Sequence, residues 1–303
     1  MRDAGSTPRL CARDIAVSYG DNPVLDGVSL AIPDCSFTVL LGPNGCGKST
    51  LLKALAGALP VRRGVIELDA QPIGKLSVKE IAKRIAVLPQ GPASPEGLTV
   101  RGLVEQGRYP HRGVFGRWSD ADEAACAGAL SLTALVDHAE RRLDTLSGGQ
   151  RQRAWIAMTL AQETGTLLLD EPTTFLDLAH QIEILDLVRD LVHSRGKTVV
   201  AVLHDLNQAA RYADRLVLLK AGTIIAEGSP AEVLTESSVR EVFGVIANVQ
   251  DDEIGFRVTL DDAVAGIQQV VVTGEVTAVE RPVRMVGQLF PTLVEAVDWR
   301  EEG

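Results

Sequence analysis

The stretch Gly42-Pro43-Asn44-Gly45-Cys46-Gly47-Lys48-Ser49-Thr50 constrains this chain more than any other, because it fits the pattern G-x-x-x-x-G-K-[ST] in the context that pattern requires. Before it, Phe37-Thr38-Val39-Leu40-Leu41 is short, apolar and partly β-branched, as a buried strand should be. After it, Thr50 to Ala56 has helix-forming composition. Glycines 42, 45 and 47 let the backbone curl so that successive N–H groups and a helix N-terminus point at one place, where fixed positive dipoles favour phosphate oxygens. In such a loop Lys48 reaches the β- and γ-phosphates and the Ser49 hydroxyl ligates Mg²⁺. The alternative is a glycine-rich turn that merely precedes a helix.

Further landmarks follow in order. Ile15–Tyr19 and Val28–Ile32 are β-like runs around the turn-rich Gly20-Asp21-Asn22-Pro23, which predicts antiparallel pairing. Tyr19, at the end of the first run, suits either an adenine platform or a core position. Gly64–Leu68 is another strand, and Ile81–Leu88 leads into a third that ends at Pro89-Gln90. From Gln90 to Leu146 the pattern turns helical, most clearly over Asp120–Val136, and reads as an insertion in an α/β domain. Within it Arg108, Tyr109, His111, Arg112, Phe115 and Trp118 gather cations and aromatics, either as a docking surface or as an anchored loop.

Leu146-Ser147-Gly148-Gly149-Gln150 then opens a helical run, again a nest of donors for an anion. Leu167-Leu168-Leu169-Asp170-Glu171 is an apolar strand ending in two acids. A carboxylate there can hold Mg²⁺ beside the phosphate loop while a second accepts a proton from water. A long amphipathic helix is predicted from Thr173-Thr174-Phe175-Leu176-Asp177 through Val192, then a buried strand over Thr198–Leu203 with His204-Asp205 at its end. His204 fits a donor to a γ-phosphate or a satisfied structural histidine. Leu216–Gly228 reads as a hairpin.

With these residues in this order, the chain resembles the ATP-binding cassette ATPases over roughly residues 10 to 246. The resemblance implies an α/β fold: a P-loop NTPase core with a mixed sheet, an N-terminal antiparallel β subdomain and a helical signature subdomain at about 91–160. The cassette is read over 8–247. The remainder, 248–303, is read as a small C-terminal α+β extension with strands at Phe256–Leu260 and Gln269–Thr273 and a short helix at Leu289–Trp299. The signature with Arg151-Gln152-Arg153, the Glu171–Asp177 segment, His204-Asp205-Leu206-Asn207-Gln208-Ala209 and Gly107-Arg108-Tyr109-Pro110-His111 are similar to importer subunits for ferric siderophores, haem and cobalamin, with siderophore favoured.

What the resemblance implies is a head-to-tail homodimer that sandwiches two ATP molecules. Each lies between the phosphate loop of one subunit and the signature of the other, Leu146, Ser147, Gly148, Gly149 and Gln150. It assigns the phosphates to Lys48 and the rest of the 42–50 loop, Mg²⁺ to Ser49, Asp170 and Gln90, the attacking water to Glu171 and Gln90, and the γ-phosphate to His204. Asp177 crosses the interface and Tyr19 stacks on adenine. Separate permease subunits and, beyond them, a solute-binding protein complete the machine, with the cassette peripheral on the cytoplasmic face of the membrane.

Composition narrows the rivals. Thirty basic against forty acidic residues give a net charge of −10, against sequence-independent binding of nucleic acid and so against a soluble cassette that remodels nucleic acid or ribosomes. The signature disfavours a simple P-loop kinase or GTPase, and the lack of an apolar run long enough to span a membrane disfavours a fused exporter. Cys11, Cys35, Cys46 and Cys126 form no ligand spacing, so reduced thiols are expected. Cys46 is either a thiol activated by the loop's dipoles or a small residue tolerated in a tight turn.

Overall fold

The computed structural model describes residues 8–92, 97–112, 117–252 and 255–263. Phe115, the strand read at 269–273 and the helix read at 289–299 lie outside them. In chain order the elements are β1 (Leu10–Tyr19), β2 (Asn22–Ile32), β3 (Phe37–Leu41), α1 (Lys48–Leu55), β4 (Arg63–Leu68), β5 (Gln71–Pro72), α2 (Val78–Ala82), β6 (Ile85–Leu88), α3 (Val100–Gln106), α4 (Asp120–Leu132) and α5 (Gly148–Ala161). There follow β7 (Thr166–Asp170), α6 (Leu178–His193), β8 (Thr198–Val202), α7 (Leu206–Tyr212), β9 (Arg215–Lys220), β10 (Thr223–Gly228), α8 (Pro230–Val233), α9 (Glu236–Phe243), β11 (Val245–Asp252) and β12 (Gly255–Ala263).

The central sheet has strand order β10-β9-β3-β8-β7-β6, parallel except for the β9–β10 hairpin. Its inner strands β3, β7 and β8 are buried throughout and mostly apolar because both faces are covered. In β3, Phe37, Val39 and Leu41 enter the core beneath α6 and α7, while Leu40 enters the core on the opposite face with α1. The same alternation recurs in β8, where Val199 and Ala201 face one way and Val200 and Val202 the other. The antiparallel sheet β2-β1-β4-β5 closes the second core, as the alternating runs predict.

Helices α3, α4 and α5 enclose a third cluster around Val100, Leu103, Cys126, Leu135 and Ala157. Trp155 and Leu160 of α5 touch both this cluster and the main core, so α5 is the beam between them. Capping fixes the helix starts: Ser119 with Asp122 for α4 and Ser147 with Gln150 for α5 each form a reciprocal box.

The helix predicted from Thr173 begins later, at Leu178, because Asp177 accepts from the His180 N–H and is the N-cap. The chain does not leave the core at 247. Strands β11 and β12 form an antiparallel hairpin across that boundary, with Ala247 and Val258 buried in the main core. Asn207 of α7 secures it by donating to Val258 O at 3.2 Å and accepting from the Val258 N–H at 2.7 Å.

Candidate functional site

The loop after β3 is shaped by its glycines. A Cβ at Gly42 would lie 2.2 Å from Leu219 O, so the chain hugs β9 where no other residue fits. Gly47, with φ +108°, is the N-cap of α1 and supplies no side-chain acceptor to the first turn. Gly45 faces open space. These are the features of an anion cradle with the helix dipole behind it. Lys48 is buried, and its ammonium donates to Gly42 O at 2.7 Å and Pro43 O at 2.9 Å. Burial lowers its pKa, against the opposing pull of Cys46, Glu171 and Asp170.

Cys46 is also buried, and burial raises its thiol pKa more than neighbouring Lys48 lowers it. The activated-thiol alternative is therefore disfavoured, and the small-residue reading fits.

Two carboxylates stand at the carboxyl end of β7 beside this loop. Asp170 is buried and accepts from Ser49 Oγ at 2.8 Å; burial raises its pKa, and the Ser49 bond only partly offsets this. Glu171 sits at φ +54°, a left-handed conformation immediately after the last residue of β7. One oxygen is 2.8 Å from His204 Nε2 and the other accepts from Thr174 Oγ1 at 3.0 Å. Burial pushes the Glu171 pKa up, but hydrogen bonds from His204, Thr174 and Gln90, with the charge of His204, bring it below the ordinary value. The group is held as a carboxylate, ready to take a proton.

The donor set suits Mg²⁺ shared with a nucleotide. One hydroxyl and one carboxylate lie in contact at the loop, and among the described residues there is no cluster of three or more His, Cys, Asp or Glu side chains that would cage a metal without phosphates.

The structure thus brings Lys48, Ser49, Asp170, Glu171, Gln90 and His204 together, with Gln90 against Glu171. Two further predicted parts have their own local settings. Tyr19 ends β1 with 47% of its surface exposed, which removes the core alternative. The signature caps α5, where Ser147 Oγ accepts from the Gln150 N–H at 3.2 Å and Gln150 Nε2 meets His138 Nε2 at 3.1 Å. Ser147 and Gly148 face outward, whereas Gly149 is covered by the ring of His180; a Cβ at Gly149 would lie 2.4 Å from that ring. His180 Nδ1 is in turn 2.6 Å from Asp177 Oδ1, which ties the Asp177 loop to the signature within one chain.

Thr174 and His180 were not singled out from sequence. The available signals were a hydroxyl three residues after the strand-end acid and the Asp177-x-x-His180 cap spacing.

The cations and aromatics of the 107–118 segment are mostly spent internally. Arg108 is buried, with Nε on Asp122 Oδ1 at 2.9 Å and Nη1 on Ala161 O at 2.6 Å and Glu163 Oε2 at 2.7 Å. His111 Nε2 meets Gln162 O at 2.8 Å, and Arg112 lies over the Trp118 ring. Among the described residues of that segment, Tyr109 stands out as an exposed large aromatic.

The family model described as ABC transporter matches residues 25–174. A probable siderophore transport system ATP-binding protein of Bacillus subtilis, YusV, is 53% identical over 240 residues, covering 79% of this chain and 87% of the relative. The ferric enterobactin transport ATP-binding protein FepC of Escherichia coli is 46% identical over 249 residues, covering 82% and 92%. Among solved structures, the dimeric bacterial ABC transporter cassette MJ0796 superposes with a TM-score of 0.65 at 29% identity, covering 73% of this chain and 98% of that one.

Proposed function

This chain belongs to the ABC transporter family, and from that premise we propose that it is the ATP-hydrolysing subunit of an importer for ferric siderophores. One observation carries the catalytic part: Glu171, kept ionised at the end of β7, is 2.8 Å from His204 and one residue from the Asp170–Ser49 contact at the phosphate loop. Lys48 and the first-turn N–H groups of α1 bind the phosphates. Ser49 and Asp170 would hold Mg²⁺, which would supply positive charge to offset that of the phosphates. Glu171 takes the proton of the attacking water, and His204 leaves Glu171 to donate to the γ-phosphate. Gln90, already beside Glu171, orients that water, and Tyr19 is the adenine platform.

The signature acts in trans. Ser147 and Gly148 point outward, and Phe175 on the Asp177 loop is 94% exposed, which suits a face covered by a second cassette. Among the described residues no helix is long and apolar enough to cross a membrane. That the motor works through separate permease subunits at the inner face is inferred from the transport-system ATP-binding proteins to which the chain is similar. The cargo is inferred from the siderophore systems named for the relatives.

The test is uptake of radiolabelled ferric siderophore in cells carrying wild type or Glu171→Gln, with haem and cobalamin beside it, and ATPase assays on the purified chains. Glu171→Gln should bind ATP, stop turnover and abolish siderophore uptake. Loss of another uptake instead reassigns the cargo, and unchanged hydrolysis removes Glu171 as the base.

A further inference from the structure

The turn carrying His204 and the loop carrying Glu171 and Asp177 are joined twice. One joint is the His204–Glu171 contact. The other is a pair of glutamines with no part in the reading above. Gln208, in the first turn of α7, gives its N–H to Asp205 Oδ1 at 2.9 Å, and its side-chain Nε2 donates to Gln181 Oε1 at 2.6 Å. Gln181, in the first turn of α6, passes the bond on: its Nε2 donates to Leu176 O at 3.0 Å and reaches Thr173 O at 3.5 Å. Those carbonyls flank Thr174, the donor to Glu171. The circuit is closed from Glu171 through His204, Asp205, Gln208, Gln181 and the 173–176 loop back to Glu171.

The order of donors in this circuit is dictated by chemistry. Two carbonyls require the nitrogen of Gln181 to face them, which turns its oxygen to Gln208 and requires Gln208 to present nitrogen. Both side chains are half-buried, so each unmade bond carries a desolvation cost.

We propose that Gln181 and Gln208 are a positioning pair that couples the His204 arm to the Glu171–Asp177 loop. This rests on the roles of Glu171 and His204 proposed above. When His204 exchanges its carboxylate partner for phosphate, the first joint opens, and the amide pair still ties the arm to the loop. Displacement of the arm is then delivered to Leu176, the residue before Asp177, and so to the segment that faces the second cassette. The pair touches neither substrate nor reacting atoms.

A double-mutant cycle on the full chain tests this, reading kcat and KM for ATP in Gln181→Ala, Gln208→Ala and the double variant. Each single change should lower kcat roughly tenfold with KM almost unmoved. The double variant should be no worse than Gln181→Ala, because that change alone already removes the Gln208–Gln181 bond together with those to Leu176 O and Thr173 O. Losses that multiply, an unchanged kcat, or an effect confined to KM would overturn the proposal. Gln208→Lys, which keeps a donor toward Gln181 Oε1, should retain more kcat than Gln208→Glu, which offers only acceptors; the reverse order would also overturn it. Glu171→Gln in the same assay separates the two readings. If it hydrolyses ATP at the wild-type rate, the base assignment and the pair fall together; if it is inactive while the cycle is additive, the pair alone falls.

Discussion

Arg108→Ala separates the two accounts of the 107–118 segment, docking surface or internal anchor. Arg108 and Asp122 have side chains only 4% and 7% exposed, while Glu163 is 57% exposed. Breaking a buried pair by removing one partner costs about 3–5 kcal/mol. Here Asp122 keeps the Ser119 hydroxyl at 2.7 Å and the Ser119 N–H at 3.1 Å, so its charge is not abandoned and the lower end applies. The exposed Glu163 bond adds under about 1 kcal/mol, and Ala161 O, stripped of its donor, adds about 1 kcal/mol more. Correlations among these losses keep the sum near 3–4 kcal/mol. Urea unfolding followed by tryptophan fluorescence is suited to the measurement, because Trp118 and Trp155 both pack on the helical cluster. The midpoint should fall with little change in slope, and Arg108→Ala/Asp122→Asn should be little worse than Arg108→Ala. A loss below about 1 kcal/mol together with failure to assemble with the permease would refute the reasoning and return Arg108 to the surface role.

Other outcomes follow from the same geometry. Gly107→Ala should destabilise strongly, since its Cβ would lie 2.3 Å from Met158 O between α3 and α5, whereas Gly128→Ala in α4 meets nothing within 4 Å and should stabilise by about 0.5–1 kcal/mol in thermal melts; equal effects would contradict this. The Asp122 pKa is lowered from 3.8 to about 2, chiefly by the Ser119 hydroxyl and then by Arg108. A depressed folded pKa gives stability that is complete above about pH 4 and is lost as the pH falls toward 2. The gap in unfolding free energy between wild type and Asp122→Asn should therefore narrow across that window by at most about 2 kcal/mol, and parallel pH curves would count against it. Asn207→Ala leaves the buried Val258 N–H without its acceptor, so hydrogen exchange at that amide should accelerate while β3 amides stay protected; unchanged protection at Val258 would show that the hairpin does not need Asn207.

The candidate catalytic cluster was legible because the proposed chemistry demands particular residue types at strand ends. Gly42, Lys48, Asp170, Glu171 and His204 could each be found from a glycine requirement or from the end of an apolar run. Tyr19 was ambiguous in sequence because an aromatic at a strand end fits core and surface equally, and only its exposure decides. Arg108 stayed open between surface and anchor for a related reason: a cation among aromatics fits either, and nothing local announces that Asp122, Glu163 and the end of α5 converge on it. The hairpin β11–β12 was half seen. Phe256–Leu260 read as a strand, but that it packs on the main core depends on Asn207, far away in sequence, supplying its amide to Val258.

The position of β3 has a consequence for how the protein is made. Its partners on either side are β8 and β9, with Phe37 beside Val199 and Thr38 beside Arg215, more than half the chain downstream. The helical cluster, by contrast, is built from neighbouring segments and can assemble while synthesis continues. The glycine loop leaves the ribosome early, yet the wall it leans on, the carbonyl of Leu219, is among the last parts of the sheet to appear. Nascent chains should therefore gain affinity for ATP late and abruptly. A product stalled before Thr198 would present both edges of an apolar strand, a substrate for chaperones and proteases rather than a partial ATPase.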